Sequence, residues 1–174
     1  MSSAHDFDFL HGAWEVRHRR RTEFLDPDSD WEEFPSTARC RPLFDGAANI
    51  DEIDMPHLGT KGLTLRLFDP ESGQWSLNWS SSRSGRLFPP VIGSFGDADE
   101  QHGGRRDRGE FYGDDTHDGK DVRARFVWSG VCDTSARWEQ AFSLDDGETW
   151  LTNWIMDFTR PEADREPVSG TPSG

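Results

Sequence analysis

The sequence predicts an all-β fold, an antiparallel barrel closed on itself, and three observations carry that prediction. Short segments of alternating apolar and polar residues follow one another at short intervals, separated by Gly, Pro, Asp and Ser. Between them there is no room for the crossover helices that parallel strands require. Eight Trp, twelve Phe and one Tyr supply the core of a 174-residue chain that is only 33% hydrophobic. A large ring buries roughly 150–250 Å², so a few such side chains replace many aliphatic ones. A closed barrel is favoured over an open sandwich because several strands are bulky on one face and mixed on the other. Closure also leaves no strand edge to protect.

Taken in order, the elements number about nine strands. His5 to Leu10 read as one helical turn before Gly12. Ala13 to Arg20 then alternate so that Trp14, Val16, His18 and Arg20 share a face. Leu25 to Pro35 reads as an acidic loop carrying Trp31 and Phe34, and Ser36 to Met55 as a long strand or bent pair broken near Pro42 and Asp45-Gly46. Leu63, Leu65 and Leu67 form one strand and Trp75, Leu77 and Trp79 the next, joined through Asp69-Pro70-Glu71-Ser72-Gly73, a turn by composition. Leu87 to Phe95 contains Pro89-Pro90, which points to an edge strand or a bulge. An uncovered edge there would let two copies pair as a homodimer.

Residues 96–107 read as a loose polar loop, Glu110 to Tyr112 as a short strand and residues 113–119 as a turn. Val122, Ala124, Phe126 and Trp128 share a face, as do Trp138, Gln140, Phe142 and Leu144, and then Trp150, Thr152, Trp154, Met156 and Phe158. The expected organisation is one barrel domain over 1–160 and a disordered tail over 161–174.

A formal net charge of −14 opposes binding to nucleic acid or to an anionic membrane surface. Met1 to Asp6 lack a basic stretch followed by an apolar run, so no signal peptide is expected. No segment approaches the ~20 apolar residues of a membrane-spanning helix. Cys40 and Cys132 stand far apart, outside any metal-ligand spacing, and predict reduced thiols and a cytoplasmic location. No phosphate-cradling Gly-rich loop and no catalytic signature occurs. The Asp114-Asp115-Thr116-His117-Asp118 segment lacks the spacing of a Ca²⁺ loop. Neither a metal nor a cofactor is expected.

Gly12-Ala13-Trp14, placed just before a long series of strands, resembles the Gly-x-Trp signature of the lipocalin and calycin families. That resemblance implies a Trp plugging one end of a barrel under an Arg from the last strand, here Arg160. The wider string runs from Asp6-Phe7-Asp8-Phe9-Leu10 through Trp138-Glu139-Gln140-Ala141-Phe142 to Asn153-Trp154-Ile155-Met156-Asp157-Phe158. It is similar to a group of uncharacterised bacterial proteins with a lipocalin-like fold, and it brings no activity and no catalytic residue. Heme-binding calycins use a late histidine, whereas the last one here is His117. Ser143 to Trp150 matches the Ser-x-Asp-x-Gly-x-Thr-Trp pattern of the Asp-box, which sialidase propellers repeat in every blade. A single copy reads as a hairpin turn.

The interior face nominates the site. Trp79, Phe126, Trp138 and Trp154 would be the walls of a pocket, with His18, Arg125 and Gln140 as groups that orient a ligand. Asn49 and Glu52 read as solvated surface, and the pairs Arg39/Arg41 and Arg123/Arg125 as cross-strand ion-pair partners or an anionic subsite. The leading reading is a barrel that binds a hydrophobic or aromatic small molecule. Two alternatives stay open: a cofactor-free isomerase or cyclase with His18 or Glu52 as proton carrier, and an interaction protein whose aromatic core is filled.

Overall fold

Ten antiparallel strands, each hydrogen-bonded to its sequence neighbours, form a barrel that closes where the last strand pairs with the first. In the computed structural model, which describes residues 2–96 and 106–162, these are β1 Gly12–Arg21, β2 Trp31–Leu43, β3 Ala48–Met55, β4 Thr60–Asp69 and β5 Gln74–Ser81. They continue as β6 Val91–Phe95, β7 Gly109–His117, β8 Lys120–Ser129, β9 Ser135–Ser143 and β10 Leu151–Thr159. The helical content is short 3₁₀ turns, the first at Asp8–Leu10. The fold class is as the alternation predicts, with one strand more than counted. The expected loop over 96–107 and the tail over 161–174 fall almost wholly outside the described residues.

The extra strand comes from the stretch over 36–55, which forms two strands, and the first of them also reaches back into the segment read as an acidic loop. Trp31 to Pro35 are already the start of β2, where Phe34 is buried opposite His18. Two prolines obscure this strand in the sequence, and the register shows why both are tolerated. Pro35 pairs with β1 before β3 joins at Thr37, and Pro42 pairs with β3 after β1 has ended at Cys40. Each proline therefore sits where β2 has only one neighbour and one side of the strand has no ladder to interrupt, the edge-like setting in which proline is tolerated. The bent pair over 36–55 resolves into β2 and β3 around a turn at Phe44–Gly46.

Two further expectations change. The segment 113–119 is mostly strand: β7 runs to His117, and only Asp118-Gly119, both at positive φ, form the hairpin turn. The uncovered edge near Pro89-Pro90 is absent, because β6 pairs with β5 on one side and β7 on the other. The argument for a homodimer through that edge loses its premise. Both cysteines are free, Cys40 buried and Cys132 partly so.

Candidate functional site

The two ends of the barrel differ, and the difference creates the site. Odd-numbered strands run from the closed end toward the open end. At the closed end the N-terminal segment folds inward. Phe7 is fully buried, with ring centroids 5.0 Å from both Trp75 and Phe95 and 5.8 Å from Phe111. Trp14 belongs to the same buried cluster, its Nε1–H donating to the Leu10 carbonyl at 2.7 Å and its ring 3.7 Å beneath the Arg160 guanidinium. Arg160 also donates to the carbonyls of Ala13, Phe9 and His11 at 2.7–2.9 Å. Gly12 has φ +105, and a Cβ there would stand 3.0 Å from an Arg160 nitrogen, so only glycine satisfies both the backbone and the packing. The Gly-x-Trp motif and its late arginine are thus one plug, as the resemblance implies.

Above this plug the interior is not filled. An inner cavity of about 70 Å³ is lined by Trp79, Phe126, Trp128, Trp138, Trp154 and Phe158, with Asp51, Thr64, Arg66 and Gln140 as its polar wall. It exceeds several-fold the roughly 10–15 Å³ needed for one water. An outer space of about 320 Å³ adds Arg20, Phe24, Leu58, Arg83, Phe88 and His117 at the rim. Leu77, Trp79, Phe126, Gln140 and Trp154 line both, so the two spaces meet along a shared wall.

Of the residues nominated from the sequence, Trp79, Phe126, Trp138, Gln140 and Trp154 converge on this space. Trp79 occupies the room left by Gly62, where a Cβ would stand 1.9 Å from the indole. Gln140 donates from Nε2 to Asn153 Oδ1 at 2.9 Å, which holds its amide in place beside the cavity.

His18 sits behind Trp154 rather than on the cavity. Its Nδ1 accepts the Trp154 indole N–H at 3.0 Å, so the proton resides on Nε2, which bonds Ser36 Oγ at 2.6 Å. The imidazole stacks on Phe34 with centroids 4.4 Å apart. Burial, aided by the positive charge of Arg20, lowers its pKa to about 4. Both nitrogens are engaged and the ring is neutral at pH 7, which fits a structural histidine better than a proton carrier.

Two nominated residues face the other way. Arg125 adjoins Phe126 on β8, and because strand side chains alternate the two cannot both point inward. Phe126 takes the interior, and the Arg125 guanidinium lies over Trp150 at 4.6 Å on the outer face. Glu52 is exposed on β3 and pairs with Lys61 at 3.7 Å. Its neighbour Asp51 is the carboxylate that reaches the interior.

The polar interior is what the sequence reading missed. Arg66 is buried on β4, donating to Asn49 Oδ1 at 3.0 Å and Asp51 Oδ2 at 2.5 Å. Asn49, expected on the surface, is fully buried. Simple alternation would set Asn153 opposite Trp154, but a register shift between Thr152 and Trp154 interrupts the ladder, and Asn153 is fully buried. At the rim, the Arg20 guanidinium lies 4.5 Å from the Phe24 ring and 4.9 Å from that of Trp154, and it bonds Glu32 at 3.2 Å. Period-two alternation with Trp14 and His18 is the signal that could have placed Arg20 there.

The Ser143–Trp150 motif is a turn. Asp145 accepts from the Ser143 hydroxyl and from the backbone N–H and hydroxyl of Thr149, while Asp146 and Gly147 adopt positive φ. Among the described residues, no group of three or more His, Cys, Asp or Glu side chains could hold a metal ion. No helix among them is long and apolar enough to cross a membrane.

No protein-family model matches the chain, and no curated protein matches it in sequence. Among solved structures, it is similar to the S-type phycobiliprotein lyase CPES from Guillardia theta, at 12% identity, with a TM-score of 0.53 over 93% of this chain and 94% of that one. The barrel EF1p2_mFAP2b, solved bound to DFHBI, aligns over 92% of this chain and 100% of that one at 12% identity and a TM-score of 0.34. At 12% identity the likeness to the lyase is one of architecture: the chain folds as a lipocalin-like barrel.

Proposed function

We propose that this barrel binds a small, flat, largely apolar molecule, inserted from the open end between Trp79, Phe126, Trp138 and Trp154. The single observation that carries the reading is the inner cavity continuing into an open rim space across a shared aromatic wall. Large apolar surfaces with a few fixed polar groups are the usual make-up of a ligand pocket. Gln140, held by Asn153, supplies one such group, and Arg20 and Arg83 put two cations at the entrance. The filled-core alternative is disfavoured by the same cavity. The isomerase or cyclase alternative loses both of its nominated proton carriers, since His18 is engaged at both nitrogens and Glu52 lies outside.

A fluorescence titration with N-phenyl-1-naphthylamine, a neutral apolar fluorophore, tests the reading. Enhanced probe emission with saturable quenching of the protein's Trp emission is expected. A native mass spectrum of freshly purified protein should also show an added mass that is lost on denaturation. No enhancement and a bare mass together would overturn the binding function.

A further inference from the structure

The floor of the inner cavity is rich in hydrogen-bond donors yet balanced in charge. Arg66 and Trp128 both line it, with the guanidinium 5.9 Å from the Trp128 ring centroid. Arg66 spends one nitrogen on Asp51 and Asn49, so a single guanidinium faces a single carboxylate and the pair is neutral. What remains is unmatched: the Nε–H of Arg66, the indole N–H of Trp128 and the side-chain N–H₂ of Asn49 are buried with no acceptor among the described residues. Arg and Trp side chains can only donate, and the Asn49 amide is oriented by the bond its oxygen accepts from Arg66. Buried donors without acceptors are rare, and two of them on residues that line a cavity, with Asn49 bonded to one of those residues, point to a group that completes them.

An oxygen lodged on this floor would supply an acceptor. Its charge is constrained by Asp51, which already occupies the guanidinium. A ligand carboxylate would bring a second negative charge into the same desolvated cluster, where Arg66 is the one cation among the described residues lining the cavity. A hydrocarbon end would leave the donors unpaired, the situation in which buried polar groups discriminate most strongly between ligands. Resting on the binding function above, we infer that the floor selects an uncharged planar ligand ending in a carbonyl oxygen, such as an aryl ketone, lactam or quinone. It discriminates against the corresponding carboxylate and hydrocarbon.

Three fluorescent naphthalenes of one shape test this on the full chain: 6-propionyl-2-(dimethylamino)naphthalene, its 6-carboxylate counterpart and 2-(dimethylamino)naphthalene. The ketone is expected to bind at least about ten-fold tighter than either relative, the order of discrimination that unpaired buried donors impose. Trp128→Phe keeps a ring and removes one donor, so it should weaken the ketone several-fold and leave the hydrocarbon unchanged. Should that variant fail to fold, Arg66→Lys keeps the charge beside Asp51 and removes the Nε–H, with the same expected pattern. Equal affinities for all three probes would overturn the inference, and so would a preference for the carboxylate. If none of the three binds while N-phenyl-1-naphthylamine does, the inference fails alone. If that probe fails as well, the binding function falls with it.

Discussion

The closed and open halves of this barrel are built from the same materials, aromatic rings and arginines, and do opposite things with them. At the closed end, Phe7 and Leu10 reach in from outside the barrel and join Trp14 in one buried cluster, with Arg160 over the Trp14 ring. At the open end, Phe24 approaches His117 with centroids 5.1 Å apart, and space remains between the walls. An aromatic inventory therefore does not distinguish core from pocket. What distinguishes them is whether a segment from beyond the strands returns to fill the ring of side chains.

The largest test of that contrast lies in the plug. Trp14 is fully buried, donates to Leu10 and carries Arg160, so Trp14→Ala should cost about 3–5 kcal/mol by urea denaturation. Trp79→Ala at the open half removes an equally large ring that already borders a cavity. It should cost about half of that or less. Equal losses would break the distinction between a filled half and a lined half.

Next in size is a pH effect at the junction of the halves. Folding lowers the pKa of His18 from its unfolded value near 6.5 to about 4, because burial excludes the imidazolium. Below pH 6.5 the unfolded chain takes up a proton that the native state does not. The stability this histidine contributes is thus present above pH 6.5 and declines as pH falls toward 4, by an order of about 3 kcal/mol. His18→Gln retains an acceptor for the Trp154 indole and should flatten that part of the stability-versus-pH curve. A wild-type slope that persists unchanged in the variant would assign the titration to other groups.

Trp79→Ala gives a sharper and smaller signal in binding. Loss of one aromatic wall should weaken N-phenyl-1-naphthylamine about ten-fold, or ~1.4 kcal/mol. Trp14→Ala, measured where it remains folded, should leave that affinity within about two-fold, a difference worth less than ~0.5 kcal/mol. An affinity that follows stability rather than position would mean that the probe reports loosening of the barrel.

How far these halves were legible follows from the physics of alternation. Trp79, Phe126, Trp138 and Trp154 are readable as interior because bulky residues at every second position leave one consistent answer. Arg125 fails by the same rule, since it adjoins Phe126. The polar floor was hidden for a different reason. Asn49, Asp51 and Arg66 have the composition of a surface, and only their mutual bonding, across two strands, makes burial affordable. Asn153 escapes simple alternation because a ladder irregularity has no local signature there. The start of β2 was masked by acidic residues and by prolines whose harmlessness depends on register, which is a long-range property.

The smallest expected effect concerns the rim, and it asks whether the open end is held as firmly as the closed one by polar means alone. Asp145 accepts the Thr149 hydroxyl at 2.5 Å, the Ser143 hydroxyl at 2.7 Å and the Thr149 backbone N–H at 2.8 Å. These bonds, the Thr149 hydroxyl foremost, lower its pKa to about 2. A carboxylate with a depressed folded pKa contributes stability above its unfolded value near 3.9, and that contribution is lost as pH falls through 2. Asp145→Asn should therefore lower the Tm slightly at pH 7, and the gap to wild type should close between pH 4 and pH 2. The Asp145 carboxylate is solvent-exposed, so screening keeps the effect well below that of His18. A constant gap across this range would mean that the turn is held by its backbone geometry, by the positive φ of Asp146 and Gly147, with the carboxylate bonds following from it.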